Sequence, residues 1–278
     1  MTSALHRLDL HGMECAVRTW GHSGLKPLIA WHGFARNSLD FNTLAESLCA
    51  TYFVIAPDTP GRGLSAWLPP ELYRFETYTD LAQLMIEHFA APKPVDWIGT
   101  SMGGIIGMLV AEQRPELIRS LVLNDIGPEV PQSAIDRIAS YTGILPIFPS
   151  LQEAEAHFRA VYVPFGPLTD NEWAQLTVSS VRRTADGLWT PHYDPNINKH
   201  FGAPPRDSAL AWARFEAMSC PTLVIRGETS DLLTDAIAER MRLSRNNVQR
   251  VDFKNAGHAP YLNTTSQIRA IKQFLASD

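Results

Sequence analysis

The residue in this chain best placed to do chemistry is Ser101, which sits inside Gly99-Thr100-Ser101-Met102-Gly103. Upstream, Pro94-Val95-Asp96-Trp97-Ile98 reads as a short buried strand, and downstream Gly104 to Glu112 is an apolar run that opens a helix. A serine flanked by glycines between strand and helix is forced into a tight turn, where any larger flanking side chain would collide with its neighbours. Its hydroxyl then projects from the top of the sheet, and the next backbone N–H, that of Met102, points to where an oxyanion would form. That is the position of a nucleophile.

A serine hydroxyl is a poor nucleophile at neutral pH and needs a base within hydrogen-bond reach. Of the nine histidines, His258 stands out, in the loop Asn255-Ala256-Gly257-His258-Ala259-Pro260 after the last strand pattern, Val248–Phe253. The imidazole in turn needs a carboxylate to fix its tautomer and stabilise the imidazolium. Asp231, in the loop Gly227-Glu228-Thr229-Ser230-Asp231, and Asp125, directly after Leu121–Asn124, both keep the chain order Ser, Asp, His. Asp231 is the expected partner, because it follows the strand next to the one that bears His258 and its loop gives it reach. Asp125 is then a turn or hydrogen-bonding residue, and Glu228 a weak third choice. A tetrahedral intermediate needs two N–H donors. Met102 offers the first. His32-Gly33-Phe34, after Leu28–Trp31, offers the second through Phe34, with His32 packed beneath the loop.

The elements that must hold these residues alternate strand and helix, the pattern of a mostly parallel sheet with helices on both faces. Strands are expected at Cys15–Trp20, Leu28–Trp31, Tyr52–Ala56, Val95–Ile98, Leu121–Asn124, Thr222–Arg226 and Val248–Phe253. Helices are expected at Leu39–Ala50, Tyr78–Phe89, Gly104–Gln113, Ser208–Met218, Asp235–Leu243 and Ser266–Leu275. The alternation breaks between Ile126 and Asp207, a stretch with ten of the 20 prolines and aromatics such as Tyr141, Tyr162, Phe165 and Trp173. It is too long for a loop. It reads as a helical cap at 126–206 inserted into a core of 1–125 and 207–278. About a third of its aromatics would line a pocket if the cap covers Ser101.

Composition bounds the rest. A chain of 278 residues buries roughly three-quarters of its unfolded surface. With 45% hydrophobic and 19% charged residues the composition is globular. The net charge of −5 and the absence of any Lys/Arg run beyond two residues argue against nucleic-acid binding. No apolar run reaches the ~18 residues of a membrane span, and no apolar stretch of signal-peptide length follows the polar N-terminus. Three widely spaced cysteines, Cys15, Cys49 and Cys220, fit buried reduced thiols and a cytoplasmic location. His192 and His200 are eight positions apart and no His-x-x-x-His pair exists, so no metal is expected. No Gly-x-Gly-x-x-Gly follows a strand, so no dinucleotide cofactor is expected either.

The set His32-Gly33-Phe34, Asp58-Thr59-Pro60-Gly61-Arg62-Gly63-Leu64-Ser65, Gly99-Thr100-Ser101-Met102-Gly103-Gly104, Asp231 and Gly257-His258 resembles the α/β-hydrolase superfamily over nearly the whole chain. The resemblance implies an α/β fold with an eight-stranded, mostly parallel sheet and a helical cap after the sixth strand. It further implies a Ser101–Asp231–His258 triad with Phe34 and Met102 as oxyanion-hole residues. The Asp58 to Ser65 turn matches a motif that is usually structural, and serine at position 101 disfavours the haloalkane dehalogenases, which place aspartate there. The expected function is cofactor-independent hydrolysis of a small carboxylic ester, thioester or lactone through an acyl-enzyme on Ser101. Carbon–carbon bond hydrolysis or acyl transfer on the same triad is the first rival, and a non-catalytic ligand receptor on a hydrolase scaffold the second. The expected partner is a small-molecule substrate, with self-association into a homo-oligomer left open.

Overall fold

The computed structural model describes residues 3–200 and 208–277. The chain first lays down β1 (Ala4–Leu10), β2 (Met13–Trp20), β3 (Lys26–Trp31), α1 (Asn42–Leu48), β4 (Tyr52–Pro57), α2 (Phe75–Ala90), β5 (Val95–Thr100), α3 (Met102–Gln113) and β6 (Ile118–Asn124). An insert follows, with α4 (Gln132–Tyr141), α5 (Leu151–Val161), α6 (Asp170–Ser180) and the short hairpin β7 (Val181–Arg183) and β8 (Trp189–Pro191). The chain returns through α7 (Ser208–Ala217), β9 (Thr222–Gly227), α8 (Asp235–Ser244), β10 (Val248–Phe253) and α9 (Thr265–Ala276). The expected far edge of the cap, at 206/207, lies outside the described residues.

The main sheet has eight strands in the order β1-β2-β4-β3-β5-β6-β9-β10. β2 is antiparallel to both β1 and β4, and from β4 to β10 all pairings are parallel. The inner strands are buried along almost their whole length, as strands covered on both faces must be, and read as continuous apolar runs. Alternate residues of β3 feed two cores. Ile29 and Trp31 pack with Leu81 of α2, Ile106 of α3, Trp212 of α7 and Met241 of α8. Leu28 and Ala30 pack with Leu44 of α1 and Ile271 and Phe274 of α9. Helices therefore cover both faces, as expected.

The main-sheet strand that the sequence hid is β1. Its segment Ala-Leu-His-Arg-Leu-Asp-Leu lies at the sheet edge with most residues exposed or half-exposed, so charge interrupts its pattern. The insert builds a small core of its own from residues such as Phe148, Phe158, Trp173 and Leu176. It is stitched to the sheet end by backbone bonds from Gly63 N to His192 O (3.1 Å), Asp194 N to Gly61 O (2.8 Å) and Gly257 N to Pro164 O (2.7 Å). Cys15, Cys49 and Cys220 are all buried free thiols. Among the described residues, no helix is long and apolar enough to cross a membrane.

Candidate active site

Ser101 occupies the single residue between β5 and α3 and adopts φ 51°, ψ −114°. A non-glycine residue in that region carries roughly 1–3 kcal/mol of strain. Bonds on both sides hold it there: its N–H donates to Asn124 O (3.0 Å), and its carbonyl accepts from Gly104 N (2.9 Å) and Ile105 N (3.2 Å). The glycines are needed for close approach. A Cβ on Gly99 would stand 2.4 Å from the backbone of Gly103, and one on Gly103 would stand 2.1 Å from Trp31 O. The turn can be this tight only because β5, α3 and β3 touch backbone to backbone.

His258 arrives from the loop after β10. That loop is pinned by Thr229, which donates from both N and Oγ1 to Ala256 O (3.0 Å each), and by Asn124, whose Nδ2 donates to Pro260 O (2.8 Å). The imidazole Nε2 lies 3.0 Å from Ser101 Oγ, and Nδ1 lies 2.8 Å from Asp125 Oδ2. A carboxylate only accepts, so Nδ1 carries the proton it donates to Asp125, and Nε2 is left to accept from the Ser101 hydroxyl.

The carboxylate behind His258 is thus Asp125, and the expectation of Asp231 is corrected. Asp125 directly follows β6 at φ 56°, with its side chain wholly buried. Besides His258 it accepts from Gly227 N (2.8 Å) and Ser230 Oγ (2.5 Å). The end of β9 and the loop after it therefore reach the imidazole's partner through the Gly227 amide and Ser230, while Asp231 pairs with Arg137 instead. Asp231 takes Arg137 Nε (2.5 Å) and Nη2 (2.8 Å) of α4 in a two-point ion pair, with 47% of its side chain exposed. Burial alone would raise the Asp231 pKa, but the Arg137 guanidinium outweighs it and holds the carboxyl below its ordinary value.

The loop after β3 passes close to the serine: a Cβ on Gly33 would lie 3.8 Å from Ser101 Cβ, and Phe34 lines the same cleft. Met102 is the first residue of α3, where a backbone N–H has no acceptor within its own helix. His32 lies beneath this loop as a clamp. Its Nδ1 donates to Gly33 O (2.7 Å) and its Nε2 accepts from Thr59 N (2.9 Å). Complete burial pushes its pKa down to about 3, so it stays neutral. Arg62 is the residue from the Asp58–Ser65 turn that sequence reasoning did not single out by itself. Fully buried, it donates from Nε to Phe34 O (2.8 Å) and from Nη1 to Tyr78 Oη (2.7 Å) and Pro60 O (2.8 Å). Its Nη2 rests 3.8 Å from Met102 Sδ. A buried cation thereby ties the Phe34 loop to the start of α3.

The cleft over Ser101 has a cavity volume of about 70 Å³ and is walled on the insert side by residues including Arg137, Ile138, Tyr141, Tyr162 and Phe165. Three of the insert aromatics face it, and Phe158, Tyr162, Phe165 and Tyr261 form a stacked ladder with successive centroids 5.5, 4.7 and 5.6 Å apart. Arg36 also lines the cleft. It gives Nε (2.9 Å) and Nη2 (2.5 Å) to Asp40 and Nη1 (2.6 Å) to Ser180 Oγ, under the rings of Tyr162 and Phe165. Among the described residues, no group of three or more His, Cys, Asp or Glu gathers as a metal site would require.

A polar sheet-end array of serine, imidazole and carboxylate beneath a helical insert, on this strand order, defines a hydrolase of the α/β class. Residues 28–270 match the model of the alpha/beta hydrolase family, and the chain belongs to it. It is 35% identical over 288 aligned residues to the 3-hydroxybutyrate-oligomer hydrolase of Cupriavidus necator, a match that covers 98% of this chain and 94% of that protein. It is also 29% identical over 229 residues to an esterase of Mycobacterium tuberculosis, covering 81% of this chain and 72% of the relative. Among solved structures, an alpha/beta hydrolase from Novosphingobium aromaticivorans superposes with a TM-score of 0.89 at 29% identity, covering 98% of each chain.

Proposed function

We propose that this chain is a serine hydrolase of small carboxylic esters, with Ser101 as nucleophile, His258 as general base and acid, and Asp125 as the carboxylate that orients and steadies the imidazole. The observation that carries this reading is the continuous hydrogen-bonded chain Ser101–His258–Asp125, at 3.0 and 2.8 Å, opening into the cleft under the insert. Ser101 Oγ attacks the ester carbonyl as its proton passes to His258 Nε2. The tetrahedral oxyanion takes hydrogen bonds from the backbone N–H groups of Met102 and Phe34. The C–O bond breaks, the leaving alkoxide receives the proton from His258, and Ser101 is left acylated. Water, deprotonated by the same imidazole, attacks the acyl carbonyl and releases the acid and the free serine.

The names of the relatives support ester chemistry, since the 35% identical protein acts on 3-hydroxybutyrate oligomers, which are chains of ester bonds. The aromatic and aliphatic walls suit a short apolar acyl chain. The test is hydrolysis of p-nitrophenyl acetate and butyrate by wild type and Ser101→Ala, with folding checked by circular dichroism. Ser101→Ala should lower kcat by roughly 10³-fold or more. Equal rates in the two proteins would end the proposal.

A further inference from the structure

The cleft holds two guanidinium groups, and their partners leave them in different states. Arg36 has all three nitrogens occupied: two on Asp40, the third on Ser180, with aromatic rings over the plane. Arg137 has one edge, Nε and Nη2, held by a carboxylate. Nε and Nη2 meet Asp231, its side chain is 35% exposed, and the Tyr141 hydroxyl, one helical turn along α4, lies against the same guanidinium. Both Arg137 and Tyr141 line the space that contains Ser101 and His258.

We propose that Arg137 and Tyr141 form an anchoring subsite for a carboxylate carried by the substrate, so that the ester bond cut at Ser101 belongs to a short hydroxy-acid ester with a free acid end. This rests on the ester-hydrolase reading above and narrows it to a substrate class. The geometry divides the labour. Asp231 holds the Nε/Nη2 edge of the guanidinium and stops it from swinging, which leaves Nη1 outside that ion pair, with the Tyr141 phenol beside it on the cleft wall. A planar guanidinium with one edge held is pre-organised, so less side-chain freedom is lost when an anion docks on it. Burial pushes the Tyr141 phenol up to about 12, so it remains a proton donor through the neutral range. Ile138, Tyr162 and Phe165, which share the cleft with the pair, lower the local polarity and raise the value of a charge-assisted hydrogen bond. An ester whose acid end is blocked gives up that bond and leaves the two donors facing an apolar group.

The test uses the 3-hydroxybutyrate dimer as the free acid and as its methyl ester. Binding is measured by calorimetry on Ser101→Ala, which cannot turn the dimers over, and on the double variant Ser101→Ala/Arg137→Met. The free acid should bind the single variant roughly 10–100-fold more tightly than the methyl ester, and that ratio should fall by about tenfold or more when Arg137 is replaced. In turnover by otherwise wild-type enzyme, Arg137→Met should lower kcat/KM for the free acid mainly through KM, with the free-acid to methyl-ester ratio moving toward one and Arg137→Lys restoring part of it. Equal binding of acid and ester to Ser101→Ala overturns the subsite, as does a ratio unmoved by Arg137→Met. The binding arm needs no folded double variant to give the first of these answers. Failure of the hydrolase reading looks different: Ser101→Ala would then still cleave both dimers.

Discussion

At the scale of single residues, the outcome turns on which acid faces His258. Asp125 is fully buried, bonded to Gly227 N and Ser230 Oγ as well as to Nδ1 of the imidazole, so its carboxylate is immobile and aimed. Asp231 is half-exposed and spends both oxygens on Arg137. In the proposed mechanism the buried acid fixes the tautomer that lets Nε2 accept the serine proton, so its loss affects turnover far more than folding. Asp125→Asn should cut kcat on p-nitrophenyl butyrate by roughly 10³–10⁴-fold, because the amide can present a donor to Nδ1 and favour the wrong tautomer. Asp231→Asn should change the same rate by less than about tenfold. Steady-state kinetics of the two variants side by side decide it, and the reverse order would return the role to Asp231.

At the scale of elements, the serine turn works because β5 and α3 meet without side chains between them. A Cβ on Gly99 would stand 2.4 Å from Gly103 C and O and from Gly104 N, all backbone atoms that can yield only if α3 moves off the strand. Gly99→Ala should therefore destabilise the protein by roughly 2–3 kcal/mol in urea unfolding. Gly33→Ala, whose Cβ would meet nothing nearer than 3.8 Å, should stay within about 0.5 kcal/mol of wild type. This contrast also explains what could be read in the sequence. Ser101 and His258 were legible because tight backbone contact and turn geometry leave a local signature in glycine. The inner strands were legible because burial on both faces writes an unbroken apolar run. The acid was not legible: Asp125 and Asp231 both follow strands and both precede His258. What separates them is the direction of one loop, set by Gly227 and Ser230 bonding to Asp125 and by Arg137, 94 residues away, drawing Asp231 outward. β1 escaped because an exposed edge strand tolerates His6, Arg7 and Asp9 in its pattern. The insert's aromatics announced a pocket, but which of them face it depends on packing that no local spacing encodes.

At the scale of the whole molecule, the clamp beneath the cleft makes stability depend on acid. His32 joins the loop after β3 to Thr59 after β4, between two strands that pair in the middle of the sheet, so protonating it requires breaking the centre of the fold. Its pKa is near 3 in the folded chain, chiefly because burial opposes the charge, against about 6.5 when exposed. Between those values the unfolded chain binds a proton that the folded chain refuses, so unfolding becomes easier as pH falls. Above about 6.5 neither state is protonated there and the residue adds no pH dependence. The slope is about 1.4 kcal/mol per pH unit once well inside the window, or about 2 kcal/mol between pH 7 and pH 5. Carboxylates elsewhere in this chain, with its net charge of −5, add their own acid dependence, which a matched variant subtracts. His32→Gln keeps a donor for Gly33 O and an acceptor for Thr59 N but cannot take up the proton. Urea unfolding of both proteins at pH 7 and pH 5 should show wild type losing about 2 kcal/mol more than His32→Gln over that step. Parallel losses would mean that His32 can be protonated without unfolding the sheet, and that the loop carrying Phe34 opens independently of the strands below it.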